Sequence, residues 1–462
     1  MKSYQIIPLL LLTLLLGSCE KFLDVKTESS QVFIKTSQDC QRLLDNYGVL
    51  NTGYPSDGEV SAGDYYTTDV SYLATPRTDE DRVIYIWQPN AIRNLGNLQW
   101  TAPYFKIYNT NLVLEALEKL TDSPSQLVRD GLRGSALFYR AFCFWQIAQL
   151  YARPYTAATA NQDPGIPIRL SSDINGISVR GTVQQTYDRI VGDLQEAEAL
   201  LPATAPVSSQ PSKATARAML ARVYLSMEDY PQALASASAA LQLKSTLIDY
   251  NMLNGNSVTP FPRFNAEVIF QAVMVSSPLL IGGNTSPQNS AKVDPALAAS
   301  YAANDLRSTV FLEPVVGAAG SFAFTGNYEP STDGSLFVGL AVDELYLVRA
   351  ECYARAGNAQ LAMADLNTLL RTRWQAGTYT DMTASSAEEA LGKVIIERRK
   401  ELLMRGQRWT DLRRLNKDSR FAVTLNRTVQ GITYSLPAQD PRYTLLIPNE
   451  VIQNSGMAQN AR

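Results

Sequence analysis

Residues 212–244 read SKATARAMLARVYLSMEDYPQALASASAALQLK. Apolar and small residues recur at three- and four-residue steps on both sides of Glu228-Asp229-Tyr230-Pro231, so the stretch predicts two helices joined by a short turn. Counted from Ala214, Leu220, Ala221, Tyr224, Ala233, Ala237 and Ala240 fall at the seventh, eighth, eleventh, twentieth, twenty-fourth and twenty-seventh positions of a tetratricopeptide-like hairpin. Small side chains at these places let two antiparallel helices approach closely. Pro231 is tolerated because the first turn of a helix has no use for the N–H that proline lacks.

Residues 342–374 repeat the layout, with Ala350, Tyr353, Ala362, Leu366 and Leu369 at equivalent places and Gly357-Asn358 at the turn; Arg349 replaces the apolar residue expected at the seventh position. Two weaker units flank these. Ser135–Tyr151 has a helical apolar face whose partner is the helix carrying Tyr187, Val191 and Leu194, with residues 151–183 inserted between them. Ala387–Leu415 supplies Ile395, Leu402, Leu403, Trp409 and Leu412 around Arg405-Gly406-Gln407. Tyr224 and Tyr353 lie 129 positions apart, against a repeat period of about 34, so the units are not tandem. The expected fold is mainly α: four tetratricopeptide-like helix pairs forming a scaffold, with an irregular insertion lobe containing short strands.

The insertions are residues 51–97, rich in Gly, Asp, Thr and Tyr, and residues 247–340, rich in Pro, Asn, Ser and Gly, with strand-like pieces such as Glu267-Val268-Ile269-Phe270. Long irregular segments are uncommon in compact domains unless they carry function. The expected organisation is a leader over 1–18, an N-terminal region over 19–245 with two hairpin units and an insertion, and a C-terminal region over 246–462 with the insertion lobe and two more units.

The leader is read from the apolar run Ile6–Leu16, which follows Lys2 and ends in Leu16-Gly17-Ser18-Cys19. A membrane span needs roughly 20 apolar residues; this run is about half that and reads as a secretory signal. Small residues before Cys19 resemble a bacterial lipobox, so Cys19 is expected to be lipid-modified and to become the first residue of the mature chain; the alternative reading is an ordinary cleaved signal with a chance cysteine. Several alkyl chains buried at about 0.8 kcal/mol per CH2 hold such an anchor in a membrane effectively for good.

Composition narrows the chemistry. The 462 residues are 45% apolar and 18% charged with a net charge of −3, enough for a substantial core and without the basic excess that nucleic acid calls for. Histidine is absent, which removes Ser-His-Asp and Cys-His nucleophile systems, His-ligated zinc and any imidazole switch. After Cys19 only Cys40, Cys143 and Cys352 remain, with no CxxC spacing; Cys143 and Cys352 sit in apolar helical patterns and read as core residues.

These motifs together resemble the SusD/RagB family of Bacteroidetes outer-membrane lipoproteins. The resemblance rests on the lipobox with Lys21-Phe22-Leu23-Asp24, on RGSALFYRAFCFWQIAQLY (133–151) followed by Gly165-Ile166-Pro167, and on YDRIVGDLQEAEALLP (187–202) leading to the hairpin quoted first. It continues through VDELYLVRAECYARAGN (342–358), VIIERRKELLMRGQRWTDLRRLN (394–416), Ile447-Pro448-Asn449-Glu450 and Gln459-Asn460. It covers essentially the whole chain in order. It implies a surface-exposed, lipid-anchored binding protein of the outer membrane that captures oligosaccharide or peptide nutrients. It also implies a partner, a SusC-like TonB-dependent transporter, and a hinged opening over that partner.

Within the most specific block, Glu397, Glu401 and Asp411 are candidates for acid and base. Their spacing instead predicts helix ion pairs, Glu397–Lys400, Glu401–Arg405 and Asp411–Arg414. No catalytic residue and no cofactor are expected, and no residue pattern indicates calcium. Two other classes remain: a tetratricopeptide-type protein scaffold, and a glycosidase working with two carboxyl groups roughly 5 to 9.5 Å apart.

Glycan binding needs ring faces for sugar C–H surfaces and amides, carboxylates or guanidinium groups for hydroxyls. Those types concentrate in Gly63-Asp64-Tyr65-Tyr66-Thr67-Thr68-Asp69 and continue through Tyr72 and Arg77. The ligand-contact candidates are Asp64, Tyr65, Tyr66, Tyr72, Arg77 and Trp87, with Asn284, Gln288, Asn289 and Tyr328 from the second insertion. VIYIWQ (83–88) reads as an alternating or buried strand, which makes Trp87 more a structural residue than a contact. Trp100, opening a helix with Tyr104, Ile107, Tyr108 and Leu112, reads as structural.

Overall fold

The computed structural model describes residues 34–74, 78–281 and 291–462. Cys19, Arg77, Asn284, Gln288 and Asn289 lie outside them. The helices that build the scaffold are α1 (Asp57–Ser61), α2 (Thr101–Ala116), α3 (Gln126–Tyr151), α4 (Val183–Leu200), α5 (Lys213–Met227), α6 (Tyr230–Leu243), α7 (Val342–Arg355), α8 (Ala359–Leu370), α9 (Ala387–Glu401) and α10 (Arg408–Leu415).

The paired units form as expected. In the first hairpin Ser212 and Thr215 make a capping box at the start of α5, and α5 ends on Glu228 in the left-handed region. Asp229 then caps α6 with Pro231 in its first turn. Ala233, Ala237 and Ala240 are fully buried where α6 meets α5. In the second, Gly357 turns the chain at φ +84° and Asn358 caps α8. Each helix packs on its neighbour in chain order from α2 to α9. Residues 244–341 leave this stack after α6 and return to it at α7. The odd residue of the repeat, Arg349, reaches Asp365 of α8 at 2.6 and 2.7 Å.

The fourth unit departs from a simple hairpin. α9 packs on α7 and α8, whereas α10 packs on α1 and α5, the two being tied by Arg398 donating to Asp411 at 2.8 Å. Helix α9 stops at Glu401, so Arg405 lies beyond its end and the expected Glu401–Arg405 pair does not form. Arg405 instead meets Asp343 at 3.1 Å. Glu397–Lys400 and Asp411–Arg414 form at 2.9 and 2.8 Å.

The strands are short: β1 (Tyr65–Tyr66), β2 (Pro164–Pro167), β3 (Arg180–Thr182), β4 (Val268–Phe270), β5 (Lys292–Val293), β6 (Leu312–Pro314), β7 (Phe322–Phe324), β8 (Leu340–Ala341), β9 (Leu425–Val429) and β10 (Ile432–Leu436). An antiparallel sheet in the order β1-β5-β7-β6 joins the two insertions, with Tyr65 opposite Val293 and Tyr66 opposite Lys292. β9 and β10 form a hairpin whose two-residue turn, Gln430-Gly431, has both φ values positive, the geometry that matches strand twist. VIYIWQ is not a strand: Asp79–Tyr85 is a helix opened by the Thr78/Asp81 capping box, and Trp87 follows at φ +54°.

One apolar core runs from Cys40 to Met457, with Phe138 and Phe142 of α3 against Phe270 of β4 at ring distances of 4.8 and 5.5 Å. Cys40, Cys143 and Cys352 are free and buried in it. A smaller core lies between α7, α8 and α9.

Candidate functional site

Between the two insertions and the β9–β10 hairpin lies an open cleft of about 520 Å³, within the size range of small-ligand sites. Gly63, Tyr65, Tyr66, Thr67 and Trp87 come from the first insertion and Asp294 from the second. Arg399 and Arg408 come from α9 and α10, and Thr424 to Thr428 from the hairpin. The four-stranded sheet makes this meeting possible, because β1 brings the first insertion to β5, one residue before Asp294.

Of the contacts read from sequence, Tyr65, Tyr66 and Trp87 line this cleft, but on different terms. Successive strand residues face opposite sides, so β1 turns one tyrosine inward. Tyr65 is 3% exposed and its hydroxyl donates to Val60 O at 3.1 Å. Tyr66 is half-buried, with its hydroxyl 2.9 Å from Ser321 Oγ. Trp87 is buried and its indole N–H donates to Ser61 O at 3.0 Å. The Arg427 guanidinium stands 3.8 Å from the Tyr85 ring centre, 4.5 Å from Trp87 and 5.2 Å from Tyr65. Its N–H groups donate to Tyr85 O and Ala62 O. Those ring faces are therefore covered by an arginine, and Tyr66 is the tyrosine of the pair that keeps exposed surface.

Asp64 is buried beside the cleft. Its Oδ1 accepts from Arg399 Nε at 2.9 Å, and Arg408 Nε stands 3.5 Å away. Arg399 also donates to Gly63 O at 3.1 Å and approaches Asp294 at 3.6 Å. Burial works against the Arg399 cation, but the Asp64 and Asp294 carboxylates outweigh it and raise its pKa above the ordinary guanidinium value. Arg408 moves the other way: burial lowers it, and Arg399 adds like-charge repulsion against the pull of Asp64.

Tyr72 and Tyr328 do not reach the cleft. Tyr72 is buried against Tyr85 at 5.9 Å and donates to Arg82 O at 3.3 Å. Tyr328, expected to be reachable, is fully buried. It packs on Phe261 at 4.6 Å, lies under the Arg405 guanidinium at 4.0 Å, and donates to Glu267 at 2.7 Å. The residues missed are Arg399, Arg408, Arg427 and Asp294. The first two stand in the ERRKELLMRGQRWTDLRR block read as scaffold. The alternation in LNRTVQGITYSL with its Gln-Gly turn is a hairpin signal, but nothing in it says where the hairpin docks.

A second surface lies along α2. Trp100, Tyr104, Phe105 and Tyr108 line a groove of about 670 Å³ against residues 169–178. Phe105 is exposed and stacks on Tyr108 at 6.3 Å. Trp100 is buried against Tyr151, the structural place its sequence context implies.

Helical pairs carrying a lobe of insertions, with a polar cleft on that lobe and no membrane-crossing helix among the described residues, define a lobed helical-repeat binding protein. Family models described as "Starch-binding associating with outer membrane" and "SusD family" match residues 21–225 and 342–460, and the chain belongs to the SusD/RagB family. It is similar to the SusD-like protein P38 of Formosa agariphila, 24% identical over 532 aligned residues and covering 99% of each chain. Its fold is similar to that of a SusD superfamily protein from Bacteroides thetaiotaomicron, with TM-score 0.73 and 22% identity over 92% of this chain and 100% of that one. It is also similar to a laminarin-binding SusD-like protein, with TM-score 0.66 and 15% identity over 92% and 99%.

Proposed function

We propose that this chain captures oligosaccharide at the cell surface for a SusC-like TonB-dependent transporter, held at the outer membrane by lipidated Cys19. The observation that carries the reading is the cleft itself. Three separate segments, each outside the helical stack, converge on a half-open tyrosine and a set of guanidinium and carboxylate groups, the residue types that bind a sugar's faces and hydroxyls. Membership of a family whose model is described as starch-binding and outer-membrane-associated supports the ligand class and the location. The protein acts by equilibrium binding, without bond chemistry or cofactor. Asp64 and Asp294, the carboxylates of the cleft, both face Arg399 and so serve to position guanidinium groups. Capture beside the pore raises the local ligand concentration, so modest affinity suffices.

Titration calorimetry against a glycan panel, with Tyr66→Ala and Phe105→Ala variants, tests the cleft. Loss of binding on Tyr66→Ala alone is the expected result. Loss on Phe105→Ala alone moves the site to the groove along α2, where an exposed ring offers a sugar platform. Release of shorter products from the panel would make the protein an enzyme. Cys19→Ser is expected to shift the protein out of the membrane fraction, and pull-down of the membrane-anchored protein is expected to bring the transporter with it.

A further inference from the structure

Among the described residues, each buried arginine is held by carboxylates or by backbone carbonyls. Arg93 meets Asp57 and Asp81 at 2.7 and 2.6 Å, Arg222 meets Glu344 at 2.5 Å, and Arg414 meets Glu351 and Asp411 at 2.6 and 2.8 Å. Arg307 and Arg373 each contact two or more carboxylates within 3.0 Å. Where a buried arginine lacks a carboxylate, backbone carbonyls take its N–H groups, as Tyr85 O and Ala62 O do for Arg427.

Arg408 has neither arrangement. Its side chain is 12% exposed and lines the cleft, and its nearest carboxylate is Asp64 at 3.5 Å, whose Oδ1 is already engaged by Arg399 at 2.9 Å. Its Nε is buried without a hydrogen-bond partner. Arg399, Arg408 and Arg427 all line this cleft, with Asp294 on its wall and Asp64 buried beside it, and Arg408 is the one of the three that no carboxylate or carbonyl oxygen engages by a hydrogen bond. A guanidinium presents five donors in a planar fork suited to carboxylate or sulfate oxygens, and a desolvated cation without its anion is costly.

Resting on the reading of this cleft as the glycan site, we infer that its ligand is an acidic oligosaccharide, one whose sugar places a carboxylate or sulfate on Arg408. Tyr66 takes the sugar face, Arg408 takes the anion, and Arg399 is held back by Asp64 and Asp294. Asp64 thus orients the pair without consuming the charge of Arg408.

The test uses three probes of equal length, tetragalacturonate, a sulfated galactan tetrasaccharide and neutral galactotetraose, titrated into wild-type, Tyr66→Ala, Arg408→Gln and Arg408→Lys proteins. At least one acidic chain is expected to bind at least tenfold tighter than the neutral one. Arg408→Gln should weaken that chain by about 10- to 100-fold, with Arg408→Lys recovering part of the loss. Affinity for the acidic chain should fall as salt rises, and which of the two acidic chains binds separates carboxylate from sulfate. Unchanged melting temperatures in the variants show that binding, not folding, was lost. Equal binding of acidic and neutral chains, or no binding of either acidic chain, overturns the inference. If the neutral chain binds and Tyr66→Ala abolishes it, the cleft survives as a neutral-glycan site. If Tyr66→Ala and Arg408→Gln leave all binding unchanged, the reading of the cleft itself fails.

Discussion

Tyr65 and Tyr66 are adjacent, alike in chemistry and different in consequence. Tyr65 is buried under Arg427 and against Tyr85 at 5.8 Å, so Tyr65→Ala removes core volume and is expected to cost about 3 kcal/mol, read as a lowered denaturation midpoint. Tyr66→Ala loses one hydroxyl contact and half-exposed surface, and is expected to change stability by no more than about 1 kcal/mol while weakening ligand binding. Equal stability losses would show that both rings serve the core. Glu59 on α1 presents a different residue-scale effect. Burial pushes its carboxyl up to about 8, with Asp64 adding repulsion and the Gly406 N–H, donating at 2.9 Å, opposing it. In the unfolded chain Glu59 ionises near its ordinary value of 4.5, so between about pH 4.5 and 8 the folded state holds a proton that the unfolded state has lost. Stability from this group is full below that window and falls across it as pH rises. Glu59→Gln is therefore expected to flatten the pH dependence of the melting temperature between pH 5 and 8 and to raise it at pH 8; a variant that follows the wild-type slope would show that Glu59 is ionised in the folded state. Gly406 itself has φ +74°, and a Cβ there would stand 2.7 Å from Met274 Cε and 2.8 Å from Val338 Cγ2, which is why this turn needs glycine.

At the scale of elements, the end of α9 is locked to the insertion lobe by charge. Arg373, after α8, donates to Glu401 at 2.7 Å and to Glu267 at 2.8 Å, and its guanidinium lies 4.1 Å from the Tyr250 ring. Arg307 donates to Glu397, Glu401 and Asp305 at 2.5 to 3.0 Å. Glu397 and Glu401, two of the three carboxylates that sequence spacing offers as acid and base, thus belong to a buried structural network, and the third, Asp411, is held by Arg398 and Arg414. Arg373→Met leaves Glu267 and Glu401 buried with one cation fewer and is expected to cost about 3–5 kcal/mol, measured by chemical denaturation; a loss under about 1 kcal/mol would show that the lock carries no weight. These partners explain the limits of the sequence reading. Glu397–Lys400 is local, so its spacing predicts it, whereas Glu267–Arg373 and Glu397–Arg307 join residues about a hundred positions apart that no helical period relates. The paired helices were legible for the same reason, since their caps and small residues repeat locally. The cleft was legible in its aromatic residues and Asp64, but Arg399 and Arg408 reach it from helices whose outward pattern looks like any charged helix face, and Arg427 from a hairpin whose docking place no local pattern gives.

The division of the chain near residue 245, natural in the sequence because the helical units fall on either side of a long insertion, is crossed throughout the molecule. α6 packs on α7, β1 pairs with β5, Arg222 donates to Glu344 at 2.9 Å and to Val338 O at 3.2 Å, and Glu59 accepts from Gly406. The apolar core draws on both sides, with Phe138 and Phe142 closing on Phe270. Separating residues 19–245 from 246–462 would expose those rings and strip partners from Arg222 and Asp64, costs that neither half can recover from contacts of its own. Independent folding units need a core and few crossing contacts, and the crossing contacts here are among the most buried in the structure. The whole chain is therefore expected to unfold in a single cooperative transition, giving one calorimetric peak whose van't Hoff and calorimetric enthalpies agree. Ligand should raise that single transition as a unit. Two resolved peaks, with ligand moving only one, would show that the lobe carrying the cleft opens separately from the helical stack.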